Sequence, residues 1–335
     1  MAIKHAFYDD DRAYLHTILP LDTPLSLGID TSTVCNFRCK YCAQSAPEKF
    51  SEINFSPEIM RMETFERIVE QCGEFPSKIK KIHLECKGEP LCNPNIAKMV
   101  KFLKQSNVTD CVQIITNGAL LSSELSDALI DAGLDILCIS MQGMSEEAYY
   151  KTCGCRIDFQ QFINQIKYYF RHKTHGKLFI KNVDVALNGE DEKELFFSLL
   201  SDYADRIYIE KIANLFSTID YKNIIQKDEG INRYGEKLYK AQVCAFPFYY
   251  LLIFPNGDIR PCTNIISSAR LGNVYSDTLV RVWNGKMRQA FLKMQLEHRR
   301  FLHPVCRECH RPYENLRPED RLDGYEDMLC GKYGF

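Results

Sequence analysis

The chain has 335 residues, of which 45% are hydrophobic and 26% charged, with a formal net charge of −2 at pH 7, as is typical of a globular protein. This charge balance argues against a nucleic-acid partner. The sequence has no apolar run of 18 residues, which excludes a transmembrane helix and a membrane partner of that kind. Acidic residues stand near the N-terminus where a signal peptide needs an apolar core, so we expect a cytoplasmic protein. Its 15 cysteines are then expected to be metal ligands or catalytic groups rather than disulfides.

Short apolar runs alternate with amphipathic segments over the first two thirds of the chain. The apolar runs predict strands over 25–30, 81–85, 111–116, 134–140, 178–187 and 206–212. The amphipathic segments predict helices over 56–73, 93–106, 122–133, 159–173 and 191–203. Ser56 and Asn93, each followed by proline, are expected to begin the first two helices. This alternation predicts an α/β fold with a parallel sheet, a partial (β/α)6 barrel of the TIM type, and chemistry at the carboxyl ends of its strands.

The alternation ends near residue 213. A Pro-Asn-Gly turn at 255–257 between two short strands predicts a β-hairpin, and a helix over 276–295 is expected to be interrupted at Asn284-Gly285. We therefore divide the chain into three parts. They are an N-terminal extension (1–24), a barrel with its connecting segment (25–243) and a smaller C-terminal α+β domain (244–335).

Three cysteines lie within eight residues directly after the first predicted strand. The stretch "CNFRCKYC" places them at Cys35, Cys39 and Cys42, a C-x3-C-x2-C arrangement. Thiolates are soft ligands that suit zinc or iron–sulfur clusters. A closed zinc site takes four ligands, whereas three thiolates leave one position of an iron–sulfur cluster open for another molecule. Buried or zinc-binding thiols are the alternative interpretation.

At these residues the chain resembles the radical S-adenosylmethionine (SAM) superfamily, which also prefers an aromatic residue, here Tyr41, before the last cysteine. The resemblance implies a [4Fe–4S] cluster whose open iron binds SAM, with Tyr41 near the adenine. It implies that SAM is cleaved to methionine and a 5′-deoxyadenosyl radical, which abstracts a hydrogen atom from a C–H bond. It also implies oxygen-free chemistry and an electron-donating partner such as flavodoxin or ferredoxin.

The stretch "KGEP" (87–90) at the end of the second predicted strand matches the family's Gly-Gly-Glu element. In the family this element binds the amino group of SAM, and the resemblance carries that role to Gly88 and Glu89. Lys87 stands where the family commonly has its first glycine, which leaves the local backbone path less certain.

The resemblance also implies SAM contacts at two later strand ends. Ser140, in "ISMQG" (139–143), ends the fourth predicted strand, and Asn188 follows the fifth. The alternatives are an ordinary strand-end hydroxyl and an ordinary turn residue. Cys153 and Cys155, placed in a predicted loop, could return a hydrogen atom to a substrate radical, although unremarkable loop thiols fit the pattern as well.

A second group of cysteines follows in the C-terminal part. Its members are Cys244, Cys262, Cys306 and Cys309. The group resembles the twitch domain, a shortened form of the SPASM domain, which holds one auxiliary [4Fe–4S] cluster. Cys330 is the only cysteine left beyond it, so we expect a single auxiliary cluster. Zinc would also suit four thiolates, and "CRECH" (306–310) matches a haem-attachment pattern that normally needs export.

An auxiliary cluster beside a radical site could accept an electron from a substrate radical and so complete an oxidation. If a thiol returned hydrogen instead, the product would be an epimer. Only about 24 residues precede the first predicted strand, which favours a small polar metabolite, carbohydrate-like in character, over a peptide. Polar groups expected near the cavity are Glu85, Glu210 and Asn214. The alternatives are a peptide-modifying or enzyme-maturing relative and, in another class, a non-catalytic electron carrier or zinc-stapled binding module.

Overall fold

The computed structural model describes residues 12–49, 56–84, 87–215, 219–225, 230–264 and 269–335. Its strands are β1 (Ser26–Ile29), β2 (Lys81–Leu84), β3 (Val112–Thr116), β4 (Ile136–Met141), β5 (Lys177–Val183), β6 (Arg206–Glu210), β7 (Tyr250–Ile253), β8 (Asp258–Arg260) and β9 (Gly272–Asn273). Its helices are α1 (Leu15–Ile18), α2 (Met62–Cys72), α3 (Ile96–Ser106), α4 (Ser123–Asp131), α5 (Glu146–Cys153), α6 (Phe159–His172), α7 (Gly189–Leu200), α8 (Phe246–Tyr249), α9 (Leu279–Trp283), α10 (Lys286–Leu296), α11 (Arg311–Glu314) and α12 (Glu326–Tyr333).

One sheet runs through the described molecule in the order β6-β5-β4-β3-β2-β1-β7-β8-β9. The strands β1 to β6 lie side by side in chain order, and each pair is parallel. Helices connect them, as parallel neighbours require. The predicted α/β fold with a partial barrel of six parallel strands is confirmed.

Alternation along the strands divides the sheet into two faces. In β2, Ile82 and Leu84 are fully buried and belong to the same apolar cluster as Phe65 of α2. Burial of each such side chain stabilises the fold by about 1.5–3 kcal/mol. Lys81 and His83, which alternate with these two residues, line a cavity on the opposite face. At β2 the sheet therefore packs against helices on one side and presents polar side chains on the other, where an apolar cluster of Ile136, Cys138 and Phe179 also lies.

The start of α2 differs from the prediction. The expected cap at Ser56 is wrong, because α2 begins at Met62. The residues before it are extended instead: Ile59 forms a β-bridge with Ser32, and the Met60 amide donates to the carbonyl of Thr31 (2.9 Å). Pairing with the segment that follows β1 therefore outweighs the local preference for a helix start.

Helix α5 occupies a stretch that was predicted as a loop, so the loop placement of Cys153 is wrong. Ser145 caps the helix by accepting a hydrogen bond from the Ala148 amide (3.2 Å), and Gly154 ends it with a positive φ of 70°. Both signals are present in the sequence, a serine before two acidic residues and a glycine at the end. The helix has only 8 residues, too few for a clear hydrophobic period.

The C-terminal part is continuous with the barrel sheet. The predicted hairpin is confirmed as β7 and β8, and β7 pairs with β1 in parallel. Asn284-Gly285 separates α9 from α10, as expected. The sheet thus crosses the proposed boundary at 243, and the division into parts stays a prediction.

The N-terminal extension and the last helices share a second apolar cluster. Leu15 and Leu19 are buried there with Phe248 of α8, Leu292 of α10 and Leu329 of α12. The beginning and the end of the described chain therefore pack together. Within the described ranges, the helices are too short or too polar to cross a membrane.

Candidate functional site: two cysteine groups and a cavity

The three cysteines of the first loop lie close together at the carboxyl end of β1. Burial raises the pKa of Cys35 to about 12 and that of Cys42 to about 11, and neighbouring thiols of the group add to both shifts. A hydrogen bond to Cys153, together with burial, raises the pKa of Cys39 well above its usual range. Thiolates are therefore costly here unless a positively charged metal group binds them.

Helix α5 holds this loop in place. The Arg38 amide donates to the carbonyl of Cys153, and the Lys40 amide donates to the carbonyl of Thr152, both at 2.9 Å. The carbonyls at a helix end have no partner within the helix. The loop backbone supplies that partner, which fixes the positions from which the cysteine side chains project.

Gly88 brings the end of β2 against the same loop. A Cβ atom at Gly88 would lie 2.3 Å from the carbonyl oxygen of Ser32 and 2.4 Å from that of Val34. The next amide, of Glu89, donates to the Val34 carbonyl (2.8 Å). Only glycine fits this approach, so the structure brings the "KGEP" stretch and the cysteine loop together as expected.

The Glu89 carboxylate is enclosed by protein donors. It accepts hydrogen bonds from the Thr116 hydroxyl (2.5 Å), the Asn117 amide (2.7 Å) and the Leu91 amide (2.9 Å). Burial raises its pKa to about 7 in spite of these hydrogen bonds, which lower it. Glu89 therefore joins the ends of β2 and β3, and its predicted contact with SAM stays a prediction.

Tyr41 and Ser140 are connected through a residue that the sequence reasoning did not single out. The Tyr41 hydroxyl donates to Oε1 of Gln142, and Nε2 of Gln142 donates to the Ser140 carbonyl (2.9 Å) and hydroxyl (3.3 Å). The Tyr41 carbonyl accepts from the Tyr221 hydroxyl (2.8 Å). The structure thus gathers two predicted SAM-binding residues at the carboxyl end of β4.

Asn188 has a different setting. It is exposed, its backbone amide donates to Glu192 (2.7 Å) and its side-chain amide donates to the same carboxylate (3.1 Å). These bonds make it a partner of the first turn of α7, in keeping with an ordinary turn residue. Its predicted contact with SAM stays a prediction that these bonds do not favour.

The two candidate hydrogen donors lie beside the cysteine loop. Cys153 is fully buried in the core, with its thiol next to those of Cys39 and Cys155. Cys155 lines a small cleft with Asn36 and Phe37. Both thiols thus lie on the side of the loop that faces α5, and their predicted role as hydrogen donors stays a prediction.

The four C-terminal cysteines also converge. Burial raises the pKa of Cys244 well above its usual range, and Cys309, Cys262 and Cys306 raise it further. Burial likewise raises the pKa of Cys306 to about 12. Cys330 lies elsewhere, beside charged residues of α10 and α12. The structure therefore brings together the predicted group of four and leaves the spare cysteine outside it.

Two amide side chains bind this second group. Gln295 of α10 is fully buried and accepts a hydrogen bond from the Cys244 amide (3.3 Å). Nδ2 of Asn264 donates to Sγ of Cys309 (3.4 Å). Hydrogen bonds to the sulfurs are one means by which proteins tune iron–sulfur clusters. Sequence reasoning missed both residues, because a single glutamine or asparagine outside any motif does not indicate that it lies beside a cysteine group.

Lys87 connects the two cysteine groups. Its ammonium donates to the carbonyl of Thr263, next to Cys262, and its own carbonyl accepts from Nε2 of Gln44 (2.8 Å), close to Cys42. The lysine charge lowers the pKa of both Cys42 and Cys262, against the larger effect of burial. Lysine at position 87, where the family commonly has glycine, thus places a buried cation between the two cysteine groups.

A cavity of about 840 Å³ lies between the polar face of the sheet and the C-terminal part. Its lining includes His83 of β2, Lys181 of β5, Tyr250 of β7 and Thr263. Of the polar groups expected near it, Glu210 is bound between two cations and Asn214 is half-buried after β6. Glu85 falls outside the described residues.

The donor set fits iron–sulfur clusters. Both groups consist of soft thiolates, in sets of three and four, as expected for an open and a closed cluster. Within the described ranges, no three Cys, His, Asp or Glu side chains lie as close together as the ligands of a single metal ion.

Comparison with known protein families gives two matches. The model of the radical SAM superfamily matches residues 29–197, half of the chain. The model of the SPASM domain, an iron–sulfur cluster-binding domain, matches residues 244–310. The two matched stretches contain the first and the second cysteine group respectively.

Individual relatives are distant or partial. The GTP 3′,8-cyclase of Chlorobaculum tepidum is 34% identical over 122 residues, which are 36% of this chain and 34% of the cyclase. The chain thus aligns with about a third of that relative's length. The tungsten-containing aldehyde ferredoxin oxidoreductase cofactor-modifying protein of Pyrococcus furiosus is 21% identical over 322 residues, covering 84% of this chain and 86% of that protein.

Among solved structures, SuiB of Streptococcus suis bound to its precursor peptide SuiA has a TM-score of 0.61 at 17% identity. The match covers 83% of this chain and 68% of SuiB. SuiB has also been solved with S-adenosylmethionine, with a TM-score of 0.58 over 88% of this chain and 72% of SuiB at 16% identity. At this identity the likeness concerns the fold alone.

Proposed function

Because the chain belongs to the radical SAM superfamily, we propose that it abstracts a hydrogen atom from a small polar substrate held in the 840 Å³ cavity. When the first cluster and SAM are both bound, the cluster would supply an electron to SAM, whose cleavage yields methionine and the 5′-deoxyadenosyl radical. The observation that carries the proposal is the convergence of Cys35, Cys39 and Cys42 beside the "KGEP" backbone, a stretch whose first residue, Lys87, also lines the cavity.

The chain's own residues have distinct parts in this proposal. Cys35, Cys39 and Cys42 would hold the first cluster. Gly88 permits the close backbone approach on which the site is built, and the Tyr41–Gln142–Ser140 connection would position SAM. The surrounding sheet and the C-terminal part would exclude water from the radical. An electron donor such as flavodoxin or ferredoxin remains part of the proposal.

We favour oxidation over epimerisation. Cys244, Cys262, Cys306 and Cys309 would hold an auxiliary cluster, whose chemistry would be to take up the electron that is left when the substrate radical loses its hydroxyl proton to water or to a basic side chain. Epimerisation would instead need a thiol that reaches the substrate carbon, and Cys153, the candidate beside the first cysteine group, is fully buried in the core. An alcohol carbon of a carbohydrate-like metabolite is the substrate centre that this chemistry suits.

A second candidate function is the modification of a peptide or of another enzyme's cofactor. The observation that favours it is the alignment with the cofactor-modifying protein of P. furiosus over 84% of this chain. The fold shared with peptide-bound SuiB is compatible with it. A product found on a peptide rather than on a metabolite would decide for this candidate.

The test is anaerobic reconstitution followed by iron counting and a SAM-cleavage assay. We expect about eight irons per chain in the wild type and about four in the Cys35→Ala/Cys39→Ala/Cys42→Ala variant, since each cluster contains four. 5′-Deoxyadenosine should form only in the former. Cys330→Ala is the matched control and should keep both properties. Wild-type protein that holds iron but never cleaves SAM would instead support an electron carrier, and zinc in the second group would remove the proposed electron acceptor.

A further inference from the structure

We propose that the cavity binds its substrate through a phosphate or carboxylate group, and that Lys181 and Arg233 are the residues that bind this anion. The inference rests on the proposed function, since it names the substrate class for the same cavity. It adds a prediction of the substrate's charge and of the two cavity residues that bind it.

A buried group of three charges forms the core of the argument. Nζ of Lys181 lies 2.9 Å from Oε2 of Glu210, and Nη2 of Arg233 lies 2.6 Å from Oε1 of the same carboxylate. The side chains are only 12%, 17% and 10% exposed for Lys181, Arg233 and Glu210. Two cations share one anion, so the group carries one net positive charge away from solvent.

The carboxylate stays ionised and cannot cancel more than one charge. Burial raises the pKa of Glu210, but Arg233 and Lys181 outweigh it and lower the value to about 2. A buried charge without a counterion is destabilising. Moreover, the buried Nε of Arg233 has no hydrogen-bond partner among the described residues. An incoming anion would supply both the missing charge and an acceptor.

The position of this group suits a substrate-binding role. Lys181 and Arg233 both line the cavity, and Lys181 pairs with Ser140 in the register of β4 and β5. Adjacent strands are about 4.8 Å apart. A substrate anchored at Lys181 would therefore lie next to the strand end at which we place SAM.

Further cations line the cavity next to Arg233. Arg317 stacks on Tyr234 at 3.8 Å, and Nδ2 of Asn232 donates to the Leu316 carbonyl (3.0 Å), which joins the segment of Arg233 to the C-terminal part. Among the described residues that line the cavity, eight are Lys or Arg and one is acidic; Arg12, Lys80 and Arg317 among the eight each pair with a carboxylate, which reduces but does not reverse the excess. Since the whole chain has a net charge of −2, this excess is local and favours an anionic ligand.

The test uses the reconstituted protein with SAM, without oxygen, and measures binding by calorimetry. The probes are pyrophosphate for the phosphate class, succinate for the carboxylate class and glucose as an uncharged sugar. We expect saturable binding of at least one anion and none of glucose at the same concentrations. Arg233→Gln and Lys181→Gln should weaken the anion's binding at least tenfold, while Lys181→Arg should retain most of it.

Lys151→Gln is the matched control, because Lys151 forms an exposed ion pair on α5, and it should bind the anion like the wild type. Failure of both anions to bind wild-type protein, or equal binding in the wild type, Arg233→Gln and Lys181→Gln, would overturn the inference. SAM cleavage measured in the same preparations separates the two proposals. Cleavage without anion binding would leave the proposed function standing, whereas anion binding without cleavage would count against that function alone.

Discussion

The backbone around Gly88 has no space for a side chain. A Cβ atom there would lie within 2.4 Å of two carbonyl oxygens of the segment that enters the cysteine loop. We expect Gly88→Ala to lower the free energy of unfolding by about 1–3 kcal/mol, as overpacking typically does. Urea unfolding of the reconstituted protein measures the effect.

Gly331→Ala is the control for this change. Gly331 lies in α12, and outside its chain neighbours and its own helix backbone no atom lies within 4 Å of its added Cβ, so the variant should be as stable as the wild type or slightly more stable. An unchanged urea midpoint in Gly88→Ala would show that the backbone approach is looser than the structure indicates.

Glu210 provides a pH-dependent test of the buried charge group. Its pKa in the folded protein is about 2, against 4.5 for an unperturbed group. The carboxylate's contribution, about 3 kcal/mol by linkage, is therefore complete above pH 4.5 and is lost as the pH falls towards 2. We expect Glu210→Gln to lower the urea midpoint by the same amount at pH 8 and pH 6, and by less at pH 4.

The matched control for this prediction is Glu147→Gln, which breaks an exposed pair with Lys151. Its urea midpoint should equal that of the wild type at each pH, since exposed pairs contribute little. A Glu210→Gln effect that grew on acidification would mean that the carboxylate is not the stabilising partner of the two cations.

At the scale of elements, the end of β2 connects the two cysteine groups through Lys87. Removal of this buried charge by Lys87→Met should make reduction of both clusters harder, because the reduced state carries more negative charge. We expect the midpoint potentials of both clusters to fall, as measured by a redox titration followed by electron paramagnetic resonance. Lys151→Met should leave both potentials unchanged. A shift confined to one cluster would contradict the bridging position of Lys87.

Strand alternation predicted most elements of the barrel, because one face of each strand packs on helices. The start of α2 could not be predicted in this way. It depends on the pairing of Ile59 with Ser32, two residues far apart in the sequence. Helix α5 could have been predicted from Ser145 and Gly154, but only by giving capping signals more importance than hydrophobic periodicity.

At the scale of the whole molecule, close spacing predicted the first group of three cysteines, since ligands from one loop are near in sequence, whereas the second group, spread over 244–309, was predicted from its resemblance to the twitch domain. The cavity could not be predicted in the same manner. Lys181 and Arg233 come from different segments, and the pairing of β1 with β7 joins Ser26 to Tyr250. Such contacts depend on the completed sheet rather than on any local pattern.

The central claim is that Cys35, Cys39 and Cys42 hold the cluster to which SAM binds, separate from the auxiliary cluster. The most direct measurement is electron paramagnetic resonance of the reduced protein with and without SAM, in the wild type and in the triple alanine variant of these cysteines. We predict two signals in the wild type, one of which changes on addition of SAM, and in the variant a single signal that SAM leaves unchanged. A signal in the variant that still responds to SAM, or a wild type in which neither signal responds, would contradict the account.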